Sequence, residues 1–308
     1  MSSEPAPDAR ITFARPDLAD QQLQGRVAAQ RYATPERSRI AVACADLFLS
    51  PEPGARLATQ LLFGEAVSVL ERTGGKAWVQ NRTDHYVGYI DTAALTPAPS
   101  APAEAPPEAP AQAHAEHRVH VPRTLAFAEP DIKAPLPRAL SLDSRLRCLG
   151  PSQNRLTLTD AGWVPSAHLA PLSARHDPVQ TASALLHTPY LWGGRSASGL
   201  DCSALVQLCF AATGLGLPRD SDQQLAWCRN HAQAVAQDQA ARGDIAFFPG
   251  HVGIMVDGRQ LIHANATAMA VSIDPLDHVI AIVAREIAAD TPAFLGLFRL
   301  APSAHSRD

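Results

Sequence analysis

The sequence predicts an α+β domain preceded by two small all-β barrels, and three observations predict it. Two runs of short apolar segments alternate at period two and break at turn residues, as in LATQLLFGEAVSVLERTGG (57–75) and RVHVPRTLAFAEP (118–130). A Pro/Ala-rich stretch separates the two runs. After Pro178 the pattern changes to helical spacing and then to a second set of strands.

Taken in order, residues 1–33 read as an N-terminal arm, in which Asp17-Leu-Ala-Asp-Gln-Gln-Leu predicts one short helix ending near Gly25. Residues 34–96 form the first barrel, with breaks at Gly74-Gly75 and at Asn81-Arg-Thr-Asp. Residues 97–116 form a linker. Its stretch 97–113 holds six prolines among alanines and glutamates, a composition that favours extended, semi-rigid chain. Residues 117–172 form the second barrel. Its GWVPSAHL echoes GYIDTAAL of the first, as two copies of one barrel type would. In 173–308 the spacing predicts helices over 178–188 and 202–213, then strands at DIAFFP, HVGIMV, QLIHAN, VSIDPL, AIVARE and FLGLFRL.

Composition excludes several classes. The chain has 308 residues, 46% of them apolar and 18% charged, with a net charge of -4. No basic stripe is present, which argues against a nucleic-acid partner. No run reaches the 18 or so apolar residues of a membrane span, and the first twenty residues lack the apolar core of a secretory signal. The expectation is a cytoplasmic protein with no membrane partner. Five cysteines without a CxxC pair fit reduced thiols rather than a disulfide frame or structural zinc. His114, His117 and His120 recur every three residues, but they lie beside expected strand, so no metal is assigned. No cofactor is implied.

The informative stretch is TPYLWGGRSASGLDCSALVQLCFAATG. Cys202 follows a Gly-rich loop and opens a helical pattern in which Leu205, Val206, Cys209 and Phe210 share a face. At a helix N-terminus the dipole favours thiolate over thiol. A free cysteine is otherwise most often a small buried hydrophobe, the reading that suits Cys209. A nucleophilic thiol needs a base, and GHVGIMVDGRQLIHANA supplies His251 and His263. If Val256-Asp257-Gly258 make a three-residue loop closed by a left-handed Gly258, Met255 pairs with Arg259 and His251 faces His263 directly. A two-residue Asp-Gly loop would put the rings on opposite faces. Either ring taken alone is more simply a structural strand histidine.

In the first arrangement Cys202 attacks an amide carbonyl, His251 carries the proton as imidazolium to the leaving amine, and His263 fixes the tautomer of His251. The Cys202 amide and the Tyr190 hydroxyl are the candidate oxyanion donors. Asp201 is either a plain helix cap or, turned away from the thiol, an anion for an ammonium group.

PYLWGG, GLDCS with LPRDSDQQ after it, GDIAFF, HVGI and LIHA together resemble the NlpC-type papain-like cysteine peptidases of bacterial cell walls, over about 178–300. The resemblance implies a papain-like α+β peptidase fold with Cys202, His251 and His263 as its catalytic residues. The whole layout, with two SH3-like barrels ahead of the peptidase, resembles the γ-D-glutamyl-L-diamino-acid endopeptidases that recycle peptidoglycan peptides. That narrower resemblance implies short murein peptides with a free N-terminal L-alanine as substrate. It also implies an amine site of Asp201 and Ser203 lined by Tyr190 and Ser221, with Glu65 and Tyr86 of the first barrel as further contacts. Trp192 is assigned to the core or the pocket wall. Two other classes stay open: an acyltransferase or esterase using the same triad, and a catalytically inert binder of cell-wall peptides.

Overall fold

A computed structural model describes residues 7–97 and 116–300. It divides into two compact units, Met1–Leu172 and Ser173–Asp308.

In the first unit the arm docks as extended chain. Strand β1 (Leu18–Asp20) pairs in parallel with β2 (Arg31–Ala33), and the expected helix shrinks to one 3-10 turn, Gln21–Leu23, capped by Asp20. The reason is burial. Leu18 and Ala19 are consecutive and both buried, which extended chain allows, while Phe13 packs at a tilt against Trp78, ring centroids 4.8 Å apart, to complete a small apolar cluster.

Seven strands follow: β3 (Glu36–Ile40), β4 (Cys44–Phe48), β5 (Leu57–Leu62), β6 (Ala66–Thr73), β7 (Lys76–Asn81), β8 (Val87–Asp91) and β9 (Leu95–Pro97). They form one sheet in the order β5-β4-β8-β7-β6-β3-β9. The β6–β7 hairpin closes through Gly74-Gly75 at φ +60° and +79°, the two positive values that a tight hairpin turn requires.

The second β segment contains β10 (Glu116–Val119), β11 (Arg123–Ala126), β12 (Arg138–Ser141), β13 (Arg145–Gln153), β14 (Leu156–Thr159), β15 (Gly162–Pro165) and β16 (Leu169–Pro171). Five of these form a sheet in the order β15-β14-β13-β10-β16, and β11 pairs with β12. Phe63 of the first segment packs into the core of the second, against Val119, Leu140 and Leu146. The two echoing motifs take the same shape, a strand, a 3-10 turn and a second strand, at β8–β9 and at β15–β16.

The second unit starts with α1 (Pro178–Ala184), which Asp177 caps through the Gln180 amide. The hairpin strands β17 (Arg195–Ser196) and β18 (Gly199–Leu200) lead into α2 (Cys202–Ala211), and α3 (Ser221–His231) follows behind an Asp220/Gln223 capping box. Then come β19 (Gln233–Val235), β20 (Ile245–Phe248), β21 (His251–Met255), β22 (Gln260–Asn265), β23 (Ala270–Pro275), α4 (Leu276–Glu286) and β24 (Gly296–Arg299). Six of these strands form an antiparallel sheet, β19-β24-β20-β21-β22-β23, and α2 packs on β21 and β22. AIVARE, expected as strand, lies inside α4. There Leu276, Val279, Ile280 and Val283 recur at helical spacing and seat the helix on the apolar core.

Candidate active site

Cys202 is the first residue of α2, and the loop before it holds that helix end in place. The Asp201 side chain caps α2 by accepting the Ala204 amide at 2.8 Å, while its other oxygen accepts the Gly193 amide at 3.0 Å. Gly193 sits at φ +74°, and a Cβ on Gly194 would lie 2.5 Å from the Gly199 carbonyl, so this turn has no room for side chains. A buried Arg219 grips Asp201 with two nitrogens, Nη1 to Oδ1 at 3.0 Å and Nη2 to Oδ2 at 2.7 Å, and also reaches Ser203 Oγ at 2.9 Å. Ser203 Oγ in turn donates to Asp201 at 3.2 Å. Asp201 is therefore a helix cap and one half of a buried ion pair, and Arg219 balances its charge before any substrate arrives.

The bases come from the sheet. Strands β20 and β21 are joined by Pro249-Gly250 with Gly250 at φ +66°, the residue order of a type II turn, which sets His251 opposite Phe248. The β21–β22 register differs from expectation. Ile254 pairs with Ile262 and Met255 with Leu261, not Met255 with Arg259. Gly258 does not take the left-handed conformation. The loop is Asp257-Gly258-Arg259, pinned by Asp257 Oδ1 accepting the Arg259 and Gln260 amides at 2.7 and 2.8 Å. This side chain moves the turn on by one residue and slides the register by two. A slide of two keeps both histidines on one face. They meet diagonally, His251 Nε2 lying 2.7 Å from His263 Nδ1. Gly253 makes the approach possible, since a Cβ there would lie 3.0 Å from His263 Cβ.

The chain of contacts continues beyond the expected residues. His263 Nε2 lies 3.1 Å from Asp274 Oδ2, and Ser272 Oγ donates to the same oxygen at 2.6 Å. Asn265 Nδ2 donates to Ser272 Oγ at 2.7 Å while its own oxygen accepts the Ala268 amide at 2.8 Å. The β22–β23 register pairs His263 with Ser272 and Leu261 with Asp274, so Asp274 is the diagonal neighbour of His263 on the shared face. A carboxylate only accepts, and this fixes every proton in the row. His263 carries its proton on Nε2 for Asp274, His263 Nδ1 accepts from His251 Nε2–H, and His251 Nδ1 keeps a lone pair.

Cys202 lies against the start of β21, where the Val252 amide, next in chain to His251, is directed at its sulfur. Burial, then the charge of Asp201, pushes the thiol up to about 12, against the opposing pull of the Val252 amide and Arg219. Burial, then His263, pushes His251 down to about 3. Burial also lowers His263, although Asp274 works against it. Burial thus works against the thiolate that the position at the head of α2 favours, and against the imidazolium as well. Burial, then the charges of Cys202 and Asp201, raises Tyr190 to about 12, which keeps its phenol protonated and able to donate. Tyr190 is held by its amide on the Met269 carbonyl at 2.9 Å.

Of the remaining expected residues, Ser221 opens α3 two residues after Arg219 and is half-buried. Trp192 is 68% exposed and is not a core residue. Glu65 and Tyr86 belong to the first unit. There Glu65 is buried and accepts the Leu62 amide at 2.7 Å, and Tyr86 packs in the apolar core with Ile40 and Leu47. Arg219, Asp274 and Gly253 were not assigned from sequence. Asp274 had a local signal, since it alternates with Ser272 in VSIDPL. Among the described residues no group of three or more His, Cys, Asp or Glu is placed to hold a metal, and no helix is long and apolar enough to cross a membrane. His114 lies outside the described residues.

Residues 187–283 match the NlpC/P60 family, and residues 47–95 match the bacterial dipeptidyl-peptidase Sh3 domain. The chain is 25% identical over 272 residues to dipeptidyl-peptidase 6 of Lysinibacillus sphaericus, covering 82% of this chain and 97% of that protein. It is 34% identical over 112 residues to the gamma-D-glutamyl-L-lysine dipeptidyl-peptidase of Bacillus subtilis (strain 168), covering 34% of this chain and 36% of that one. In structure it is similar to an NlpC/P60 family protein from Bacillus cereus ATCC 10987, with a TM-score of 0.66 and 21% identity over 86% of this chain and 100% of that one.

Proposed function

We propose that this chain, which carries an NlpC/P60 domain behind a bacterial SH3 domain, is a cysteine peptidase that cleaves the γ-D-glutamyl–L-diamino acid bond of short murein peptides. The observation that carries the reading is the row His251, His263, Asp274, which starts one residue before the Val252 amide directed at the Cys202 sulfur.

In the first step the Cys202 sulfur forms a bond to the γ-carbonyl carbon while its proton passes to His251 Nδ1. The resulting oxyanion takes hydrogen bonds from the Cys202 amide at the head of α2 and from the Tyr190 hydroxyl. As the C–N bond breaks, His251 returns that proton to the departing diamino acid, and water then hydrolyses the thioester by the reverse path. His263, held by Asp274, keeps His251 in the one tautomer that can accept from sulfur.

The proposed substrate carries a free N-terminal L-alanine whose ammonium sits by Asp201, Ser203 and Ser221. Arg219 already balances Asp201, so selection there rests on the placement of acceptors more than on net charge. The relatives named as dipeptidyl-peptidases support this choice of bond. So does the repeated strand–turn–strand motif, which fits SH3-like architecture in both β segments. A requirement for a free amine would direct the enzyme to peptides already released from the wall, the substrates of recycling.

The test is release of the diamino acid from L-Ala-γ-D-Glu-diaminopimelate. Cys202→Ala should abolish it with the near-UV circular dichroism unchanged, and continued turnover by that variant would reject the mechanism. Acetylating the alanine should slow the intact enzyme by about 10–100-fold, the worth of one charge-assisted hydrogen bond. Equal rates for blocked and free peptide would reject the specificity while leaving the peptidase standing.

A further inference from the structure

Within the first unit, the seam between the two β segments encloses a cavity of about 380 Å³ whose lining includes Arg39, Arg138, Arg147 and a single acid, Asp160. We infer that this cavity is a binding site for a small oxyanion, a carboxylate or a phosphate, held by the three arginines.

The arginines differ in how far their charge is already met. Arg147 is satisfied: its backbone amide and its Nε both donate to Asp160, at 2.9 and 3.0 Å. Arg39 is not. It is 7% exposed, its Nε donates to the Gly64 carbonyl at 3.0 Å, and its Nη1 lies 3.7 Å from Asp160 and 3.9 Å from Glu116, beyond hydrogen-bond reach. Its buried Nη2 has no hydrogen-bond partner among the described residues. A buried guanidinium nitrogen without an acceptor is costly, and native structures seldom leave one so unless something else binds there. Arg138 reaches across the seam to the Ala41 carbonyl at 3.1 Å and lies over the Phe63 ring at 5.6 Å, which among the described residues leaves its other nitrogens free at the rim. Even with Glu116 counted, the site keeps surplus positive charge. Guanidinium forks match the paired oxygens of carboxylate and phosphate alike.

The seam is also closely packed. The Arg145 amide donates to the Phe63 carbonyl at 2.8 Å, and Gly64, at φ +78°, approaches so closely that a Cβ would lie 1.8 Å from the Arg145 carbonyl. Gly64 is needed there both for its conformation and for that contact. A preformed wall of this kind keeps the arginines spread, not collapsed onto one acid, and so lowers the ordering cost of binding.

The experiment is isothermal titration of the full chain with inorganic phosphate and, separately, with succinate, at constant ionic strength set by sodium chloride. Saturable binding of either is expected, weakened at least tenfold in Arg138→Glu, whose exposed position leaves the fold intact. Arg39→Met should abolish it, and circular dichroism checks that variant's fold. Binding of phosphate alone or of succinate alone assigns the class. If neither anion saturates the protein, or if Arg138→Glu binds as tightly as the parent, the inference is overturned.

Discussion

Arg219 and Asp201 form a two-pronged ion pair directly beside the nucleophile, with nitrogen–oxygen distances of 2.7 and 3.0 Å and the Arg219 side chain fully buried. The pair places a helix cap, a loop anchor and a balanced charge at one point. Removing Arg219 leaves a buried carboxylate without its counter-charge next to the thiol. Arg219→Ala should therefore cost about 3–5 kcal/mol of stability, as broken buried pairs do. Arg219→Lys should recover only part, because an ammonium cannot make both contacts at once. Urea denaturation of the three proteins measures this. Equal stability of the alanine variant and the parent would show that the pair is not what holds the loop.

Asp274 acts one step further from the chemistry. In Asp274→Asn, an amide that can donate replaces an oxygen that only accepts, so His263 loses its reason to carry the proton on Nε2 and the row can reverse. The expected result is a fall in kcat of roughly 10–100-fold, the size seen for outer partners that orient a reacting ligand, with KM unchanged. Asp274→Glu should restore part of the rate. A rise in KM at constant kcat would mean that Asp274 serves the substrate and not the histidines.

Gly253 presents its open side to His263. A methyl group there would lie 2.6 Å from Leu261 Cδ1 and 3.0 Å from His263 Cβ. Leu261 can turn aside, but His263 cannot move without losing His251 or Asp274. Gly253→Ala should cost about 1–3 kcal/mol through overpacking and reduce kcat well beyond what that loss of stability explains. The check is kcat measured at a temperature where the variant is fully folded.

The parts of this site legible in the sequence are those carried by local pattern. Cys202 declared itself by a Gly-rich loop and a helix start, and His251 and His263 by parity along two strands. Parity survives a register error of two, which is why the pairing stood although the loop position did not. The error arose because the Asp257 side chain, invisible to a strand-alternation argument, caps the loop one residue later. Arg219 and Asp274 act through partners 18 and 11 residues away, and only Asp274 has a local mark, its alternation with Ser272. At AIVARE, six residues were too few to separate alternation from helical spacing. Only with Leu276 and Val279 included does the helix show. In the arm, short polar residues suggested a helix where burial of Leu18 and Ala19 demands extended chain.

The buried histidines also tie stability to pH. His251 has its ordinary value of 6.5 in the unfolded chain and about 3 when folded, because burial, and then His263, disfavours its charge. Between these limits the unfolded state binds a proton that the native state refuses, so stability must fall as pH falls through 6.5. The window from 6.5 to 5 separates the histidines from the carboxylates held below their ordinary range, Asp257 and Asp274 among them, which titrate lower still. Over that span one proton is worth about 2 kcal/mol. Urea denaturation at pH 7 and pH 5 should show a loss of that order in the parent. His251→Gln, which has no imidazole to protonate, should lose less, the remainder belonging to His263, which burial also lowers. A parent protein equally stable at both pH values would mean that the rings can take protons in the folded state. Burial would then not be what decides the charge of His251.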